Sequence, residues 1–253
     1  MTMYEVVFSP TGGTQRAADL LTAGLGDVPV QLDLGERGWD ASRHEIVSGD
    51  VVVIAVPVFG GRVPAVAAQR LSQMKGNGAR AVVMAVYGNR AYDDALVEVF
   101  DLAKDAGFKP IAAVSAVAEH SIACQFATGR PDARDAEELA EFAKRIAHKL
   151  EDGDAGEPQV PGNRPYLKPG STPLHPKATK ACVRCGLCAR SCPVGAIDPD
   201  DLKRANSQKC ISCMRCVAKC PHRARKVSGA MVGLVGKMLK KSASGRKACE
   251  LFV

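Results

Sequence analysis

Eight cysteines fall into two runs spaced C-x2-C-x2-C-x3-C, each followed by proline. The first is Cys182, Cys185, Cys188, Cys192 and Pro193; the second is Cys210, Cys213, Cys216, Cys220 and Pro221, a repeat at a period of 28 residues. Nothing else in the chain limits its fold as tightly. Three thiols two residues apart on a tight loop can surround one corner of a cubane iron–sulfur cluster while backbone amides point at its sulfurs. In tandem runs of this spacing the fourth cysteine ligates the other run's cluster. Cys182, Cys185, Cys188 and Cys220 are therefore expected to hold one 4Fe–4S cluster. Cys210, Cys213, Cys216 and Cys192 are expected to hold a second. The proline after each fourth cysteine has no N–H and ends the local turn. Four-cysteine zinc sites instead pair two C-x2-C halves, and disulfide frameworks belong to exported chains. The two remaining cysteines, Cys124 and Cys249, have no partners in sequence and read as ordinary thiols.

Export is not indicated. The N-terminal MTMYEVVFSPTGGT lacks a basic region followed by an apolar run, so no signal peptide is expected. No stretch approaches the ~20 apolar residues of a transmembrane helix. The expectation is a cytoplasmic, reducing and anaerobic setting. At 253 residues with 46% hydrophobic content the chain has room for one large domain or two smaller ones. The net charge of +7 hides an asymmetry: residues 1–155 carry 15 Lys/Arg against 22 Asp/Glu, and residues 156–253 carry 19 against 5. A basic segment raises nucleic acid as a partner. The preferred reading is that cations offset anionic thiolate-ligated clusters, attract the acidic half, or dock an acidic electron carrier.

Tyr4–Phe8 reads as a buried strand. SPTGGTQ follows, then RAADLLTAGL with helical apolar spacing. Strand, Gly-rich turn and helix in that order form an anion cradle of backbone N–H groups. The turn lacks the lysine of a P-loop and does not fit the dinucleotide fingerprint. Ser9, Thr11 and Thr14 place hydroxyls around Gly12 and Gly13, which suits the terminal phosphate of a mononucleotide; a plain strand-to-helix turn is the alternative. Further strands are expected at Val28–Leu34, Asp50–Val56, Ala79–Val86 and Lys109–Glu119. The third runs into PVFGGRVP, with Pro57, Val58, Phe59, Gly60, Gly61 and Arg62. The fourth ends in YGNR, with Tyr87, Gly88, Asn89 and Arg90, and the fifth in EHS, with His120 and Ser121. Asp135–Leu150 is an amphipathic helix. Five strands alternating with helices, with glycine and aromatics at the strand ends, mark a doubly wound α/β sheet whose ligand edge lies at those ends.

Ser9-Pro10-Thr11-Gly12-Gly13-Thr14 resembles the phosphate loop of flavodoxins. Together with PVFGGRVP, YGNRAYDDAL, EHS and the cysteine repeat, it makes the chain similar to the fused flavodoxin–ferredoxin family of anaerobic bacteria, over nearly its whole length to about residue 226. The resemblance implies a flavodoxin-like five-stranded parallel sheet, a small α+β two-cluster ferredoxin domain, non-covalent FMN and two 4Fe–4S clusters. It implies that Ser9, Thr11, Gly12, Gly13 and Thr14 hold the phosphate, that the loop of Phe59, Gly60 and Gly61 lies beside the flavin ring, and that Tyr87, Gly88 and Asn89 lie on the ring's other edge. In flavodoxins a backbone peptide flips toward the reduced flavin, and Gly60-Gly61 is where that is sterically cheap. Arg62 and Arg90 depart from the acidic flavin edge of simple flavodoxins. A cation there would raise the flavin potential, unless it is a solvated loop charge. Phe59 and Tyr87 also fit as covers of the sheet edge, and His120 as a structural loop histidine.

The expected organisation is a flavin domain over 1–151, a Pro/Gly-rich linker over 152–178, a ferredoxin domain over 179–226 and a basic helical tail over 227–253. The linker holds six of the 15 prolines and lets the ferredoxin part fold over the flavin edge or swing. In the tail, Met231, Leu234, Val235, Met238 and Leu239 share a helical face with Lys237, Lys240 and Lys241 elsewhere. Such a face packs on the chain's own domains or on a membrane surface. The functional expectation is electron transfer between two clusters and FMN, with a redox partner protein at one end. A competing class is an FMN-dependent reductase of a small molecule, with His120, Tyr87 and Arg62 as candidate catalytic residues. A nucleic-acid-binding cluster protein is a third class and is not favoured. No nicotinamide fingerprint is present, and the sequence leaves the oligomeric state open, as it does which cluster faces the flavin.

Overall fold

The computed structural model describes residues 1–26, 28–154, 156–170 and 174–253. Positions 155 and 171–173 of the expected linker lie outside the described residues. Five strands, β1 (Met3–Val7), β2 (Val30–Asp33), β3 (Val51–Pro57), β4 (Arg80–Tyr87) and β5 (Lys109–Val117), align in parallel as β2-β1-β3-β4-β5. Their sequences are near-continuous apolar runs because both faces are covered. Alternate residues of each strand go to different cores. Val52, Ile54 and Val56 join Val83 and Ala85 beneath α2 (Ala65–Leu71) and α3 (Ala95–Asp105). Val53 and Ala55 join Val82 and Met84 beneath α1 (Gly13–Thr22) and α4 (Ala133–Glu151). Six residues of β3 are fully buried. At about 1.5–3 kcal/mol per buried aliphatic side chain, the centre of this sheet dominates the stability of the domain.

The second lobe is small. The cysteine runs are interrupted by two one-turn helices, α5 (Leu187–Arg190) and α6 (Arg215–Ala218). A two-stranded antiparallel pair, β6 (Lys177–Ala178) with β7 (Arg225–Lys226), closes one end of the lobe. The repeat is visible in the backbone. Arg184 and Ser212, Gly186 and Met214, and Gly195 and Arg223 all have positive φ, each pair 28 residues apart. Sγ of Cys192 accepts from the N–H of Ala196, and Sγ of Cys220 from that of Ala224, both at 3.2 Å. Two cysteine runs of one sequence pattern thus fold into two loops of one shape.

Two expectations change. The sheet has six strands, since β8 (Glu250–Phe252) adds antiparallel to β5, with Ala113 opposite Phe252 and Ser115 opposite Glu250. The tail is therefore only partly helical: α7 (Gly229–Leu239) leads into a return to the first domain. Three residues are too few to show a strand period, and β8 forms because β5 would otherwise leave an unpaired edge. The described part of the linker is hydrogen-bonded to the first domain. The carboxylate of Asp94 accepts from the backbone N–H groups of Asn163 and Leu167 at 2.9 and 2.6 Å. Asp101 accepts from Arg164 Nε at 2.8 Å and from the Tyr166 hydroxyl at 2.6 Å. The segment is stitched along the start of α3, and Gly170 N–H reaches the carbonyl of Gly60 at 2.9 Å.

Candidate functional site

The loops that follow β1, β3, β4 and β5 meet at one edge of the sheet, outside the carboxyl ends of the strands, where open α/β folds bind ligands. A cavity of about 180 Å³ opens there. Its floor is the turn before α1: Pro10, Thr11, Gly13 and Thr14. Gly12 has φ 95°, a left-handed conformation that lets the chain turn from β1 into the helix. A side chain at Gly13 would sit 2.9 Å from Cβ of Ala118, so glycine keeps the turn against the loop after β5. Ser9 is not in the wall; its Oγ accepts from Gln15 N–H at 2.9 Å and ties down the first turn of α1. The first-turn N–H groups, the buried Thr14 hydroxyl and the absence of a lysine at the turn fit a phosphate monoester bound through neutral donors.

The walls come from Pro57, Val58, Phe59 and Gly60, from Tyr87 and Gly88, and from Glu119, His120, Ser121 and Ile122. Phe59 packs edge-on to Phe8, and Tyr87 edge-on to Tyr92, with ring centroids 6.4 and 5.6 Å apart. Gly88 is needed because any side chain would strike the His120 ring, 2.7 Å away. Nδ1 of His120 accepts from the N–H groups of Ile122 and Ala123, at 3.2 and 3.1 Å. Its proton therefore sits on Nε2. Burial pushes its pKa down, so the ring is neutral at pH 7. Tyr87 is pushed up to about 12, first by burial and then by the charge of Glu250. Both groups can donate a hydrogen bond, but neither is a good general acid near neutrality.

Three expected site residues are engaged elsewhere. Arg62 makes a two-point ion pair with Glu98, at 2.7 and 2.8 Å, donates to the carbonyl of Leu167, and lies over the Tyr166 ring. Its positive charge is neutralised by Glu98 and it does not line the cavity, which corrects its assignment as a flavin-edge cation. Asn89 is buried, and its amide donates to the carbonyls of Ala243 and Gly245, at 2.6 and 2.8 Å. Arg90 pairs with Asp93, and its carbonyl accepts from Lys247. The C-terminal segment, which sequence reading left out of the site, thus clamps the loop after β4. Gly61 and Arg90 instead line a second, larger cavity of about 630 Å³ that shares Val58, Gly60, Tyr87, Gly88 and His120 with the first. Its roof is Met231, Leu234, Val235, Met238 and Leu239 of α7.

The remaining wall of the first cavity belongs to the other lobe: Ile211, Ser212 and Cys213, inside the second cysteine run. Arginines dock the lobes. Arg215 makes a two-point ion pair with Asp33 at the end of β2. Arg70 Nη2 donates to the carbonyl of Pro193 at 2.8 Å, and Arg37 Nη1 to that of Ala189 at 3.2 Å.

The cysteines gather in two places. Cys182, Cys185, Cys188 and Cys220 line one common cavity. Cys192, Cys210, Cys213 and Cys216 lie close enough that neighbouring thiolates disfavour the ionisation of Cys210, Cys213 and Cys216. Burial pushes Cys213 up to about 12 and Cys216 to about 11. At Cys220 burial also acts upward, but backbone N–H groups from Ala224, His222 and Arg225 outweigh it and the pKa falls. Thiols that would repel one another as anions suit a cationic iron–sulfur core, which offsets part of their charge. Each donor set therefore fits a cubane iron–sulfur cluster.

The strand order β2-β1-β3-β4-β5 is that of the flavodoxin-like doubly wound fold. Residues 177–232 match the family described as 4Fe-4S dicluster domain. The chain is therefore a flavodoxin-type domain fused to a ferredoxin-type iron–sulfur domain. Among curated proteins, AegA of Escherichia coli (strain K12), which carries the name "Putative oxidoreductase", is 40% identical over 62 residues. That match covers 22% of this chain and 9% of AegA, so the chain spans a small part of that relative. Similar solved structures include the Flv1 flavodiiron core from Synechocystis sp. PCC6803, at 15% identity and TM-score 0.44, covering 61% of this chain and 37% of that one. The Streptococcus pneumonia TIGR4 flavodoxin aligns at 22% identity and TM-score 0.42, over 58% of this chain and 99% of its own. Oxidised Flavodoxin 2 from Bacillus cereus aligns at 17% and 0.44, over 59% and 99%. Among the described residues no helix is long and apolar enough to cross a membrane.

Proposed function

We propose that the chain is an electron-transfer flavoprotein that holds two 4Fe–4S clusters and one FMN, and passes electrons between them and a redox partner. The reading rests above all on Cys213: a cysteine of the second run lines the same cavity as the Gly-rich turn before α1 and the Phe59 and Tyr87 loops. The clusters would exchange single electrons and the flavin pairs of them, chemistry that belongs to the cofactors. The protein supplies position. Thr11, Gly12, Gly13 and Thr14 would hold the phosphate, with Ser9 bracing the turn. Pro57, Val58, Phe59 and Gly60 on one side, and Tyr87 and Gly88 on the other, would flank the ring. The cluster on Cys192, Cys210, Cys213 and Cys216 would face the flavin, and the cluster on Cys182, Cys185, Cys188 and Cys220 would face the partner.

Anaerobic reconstitution with iron, sulfide and FMN, followed by potentiometric EPR and absorbance, tests this. Two cubane signals and one FMN per chain are expected; a protein that binds no flavin would end the reading. A second reading, reduction of a small apolar molecule at the flavin, is favoured by the 630 Å³ cavity beneath α7. Oxidation of the reduced protein by a small apolar acceptor, lost when Leu234→Trp fills that cavity, would select it. Oxidation that is indifferent to Leu234→Trp would leave the carrier.

A further inference from the structure

Arg225 is 2% exposed and is, among the described residues, the largest fully buried side chain. It stands 28 residues after Ile197, at the position the cysteine repeat fills with a buried aliphatic side chain in the first run. Its guanidinium donates to the carbonyls of Leu202 and Pro176, both at 2.7 Å. It lies 3.8 Å from Cys188 Sγ of one ligand set, its strand β7 packs on α6, which carries Cys216 of the other, and Cys188 and Cys216 both pack on the Ala189, Ile197 and Leu202 cluster whose Leu202 carbonyl it binds. None of these partners is a carboxylate, and Nε is buried with no partner at all.

A guanidinium cannot discharge itself by losing a proton. An uncompensated buried charge is costly, so a counter-charge must stand nearby, and among its hydrogen-bond partners only the cysteine sulfur can carry one. We propose that Arg225 is a shared counter-cation for the two clusters: it offsets the charge of both ligand sets at once and favours the reduced state of each. A cluster gains one negative charge on reduction, so a fixed cation beside it stabilises the reduced form and raises the midpoint potential. Because the cation lies between the two sets, both potentials respond. Because the repeat supplies Ile197 at the matching position, this cation has no symmetry mate. The inference rests on the two-cluster reading above.

The test uses the full chain, reconstituted anaerobically, with iron and acid-labile sulfide counted before potentiometric EPR. The wild-type count and cubane signals report on the electron-transfer reading, and the variants report on Arg225. Loaded Arg225→Gln and Arg225→Met are expected to show both midpoints shifted negative. Loaded Arg225→Lys is expected to recover most of that shift. Raising the salt is expected to leave the difference unchanged, as for a buried charge and unlike a surface one. Wild-type potentials in a loaded Arg225→Gln protein would overturn the inference, as would a shift in one cluster alone. If the uncharged variants do not load, loading of Arg225→Lys supports a charge requirement, and failure of Arg225→Lys as well overturns it.

Discussion

Arg62 sits on the loop that in sequence promised a cation beside the flavin, yet its charge is satisfied by Glu98. Its environment places it among the residues that fasten the linker, alongside Tyr166 and Leu167. Arg62→Ala should leave the flavin midpoint potential within error of wild type and lower stability in urea by about 1.5–3 kcal/mol, the usual worth of a hydrogen bond to a charged group. A large flavin shift would restore Arg62 to the site. His120 has a different signature. Burial depresses its folded pKa below the unfolded value of about 6.5, so the unfolded chain binds the proton first as pH falls. The contribution of neutral His120 is therefore complete above about pH 6.5 and is lost as pH drops toward the folded value. His120→Asn should flatten that part of the stability-against-pH curve, read from urea midpoints between pH 7.5 and 5; an unchanged slope would show that His120 is not the responsible group.

At the scale of elements, the C-terminal segment does two jobs in two stretches. Ala243 and Gly245 clamp Asn89, while Cys249, Leu251 and Phe252 complete the sheet and pack on its cores. Arg246 joins them by pairing with Asp132 and Asp135, the residues that form the capping box of α4. Ending the chain after Lys247 should cost roughly 2–5 kcal/mol, the range for removing large core side chains, with FMN affinity nearly retained. Ending it after Leu239 should in addition weaken FMN binding, because the loop after β4 loses its clamp. Equal FMN affinity in the two truncations, measured by fluorescence titration, would refute this division. The cluster loops also carry strain. Arg184, Ser212, Met214 and Arg223 adopt positive φ without being glycine, at about 1–3 kcal/mol each.

Across the whole molecule the charge asymmetry becomes a set of contacts. Basic residues of the second half meet acids of the first in Arg215 with Asp33, Arg164 with Asp101, and Arg246 with Asp132 and Asp135. Part of the +14 on residues 156–253 is thus used within the chain. Asp33→Lys should loosen the docking of the lobes while leaving both cofactor loads unchanged. The expected outcome is at least a tenfold slower reduction of FMN through the clusters in stopped-flow absorbance, with little further dependence on salt. Wild-type transfer rates in this variant would show that the ion pair does not govern the approach of the lobes.

The sequence by itself determined the parts. Cysteine spacing set out two runs of four thiols, because thiols on a tight loop have few partners within reach. Five apolar runs alternating with helices determined the parallel sheet, because each strand needs both faces covered. Tertiary structure decided the relations between parts. That Cys213 faces the phosphate turn depends on the pairing of Arg215 with Asp33, 182 residues apart, which no local pattern encodes. Arg62 and Asn89 look like ligand-edge residues in sequence, but their side-chain partners come from segments 36 to 154 residues away. Arg225 is one basic residue among many in a basic stretch until the fold buries it between two sets of sulfurs. Spacing describes what a loop can bind; long-range packing selects what it meets.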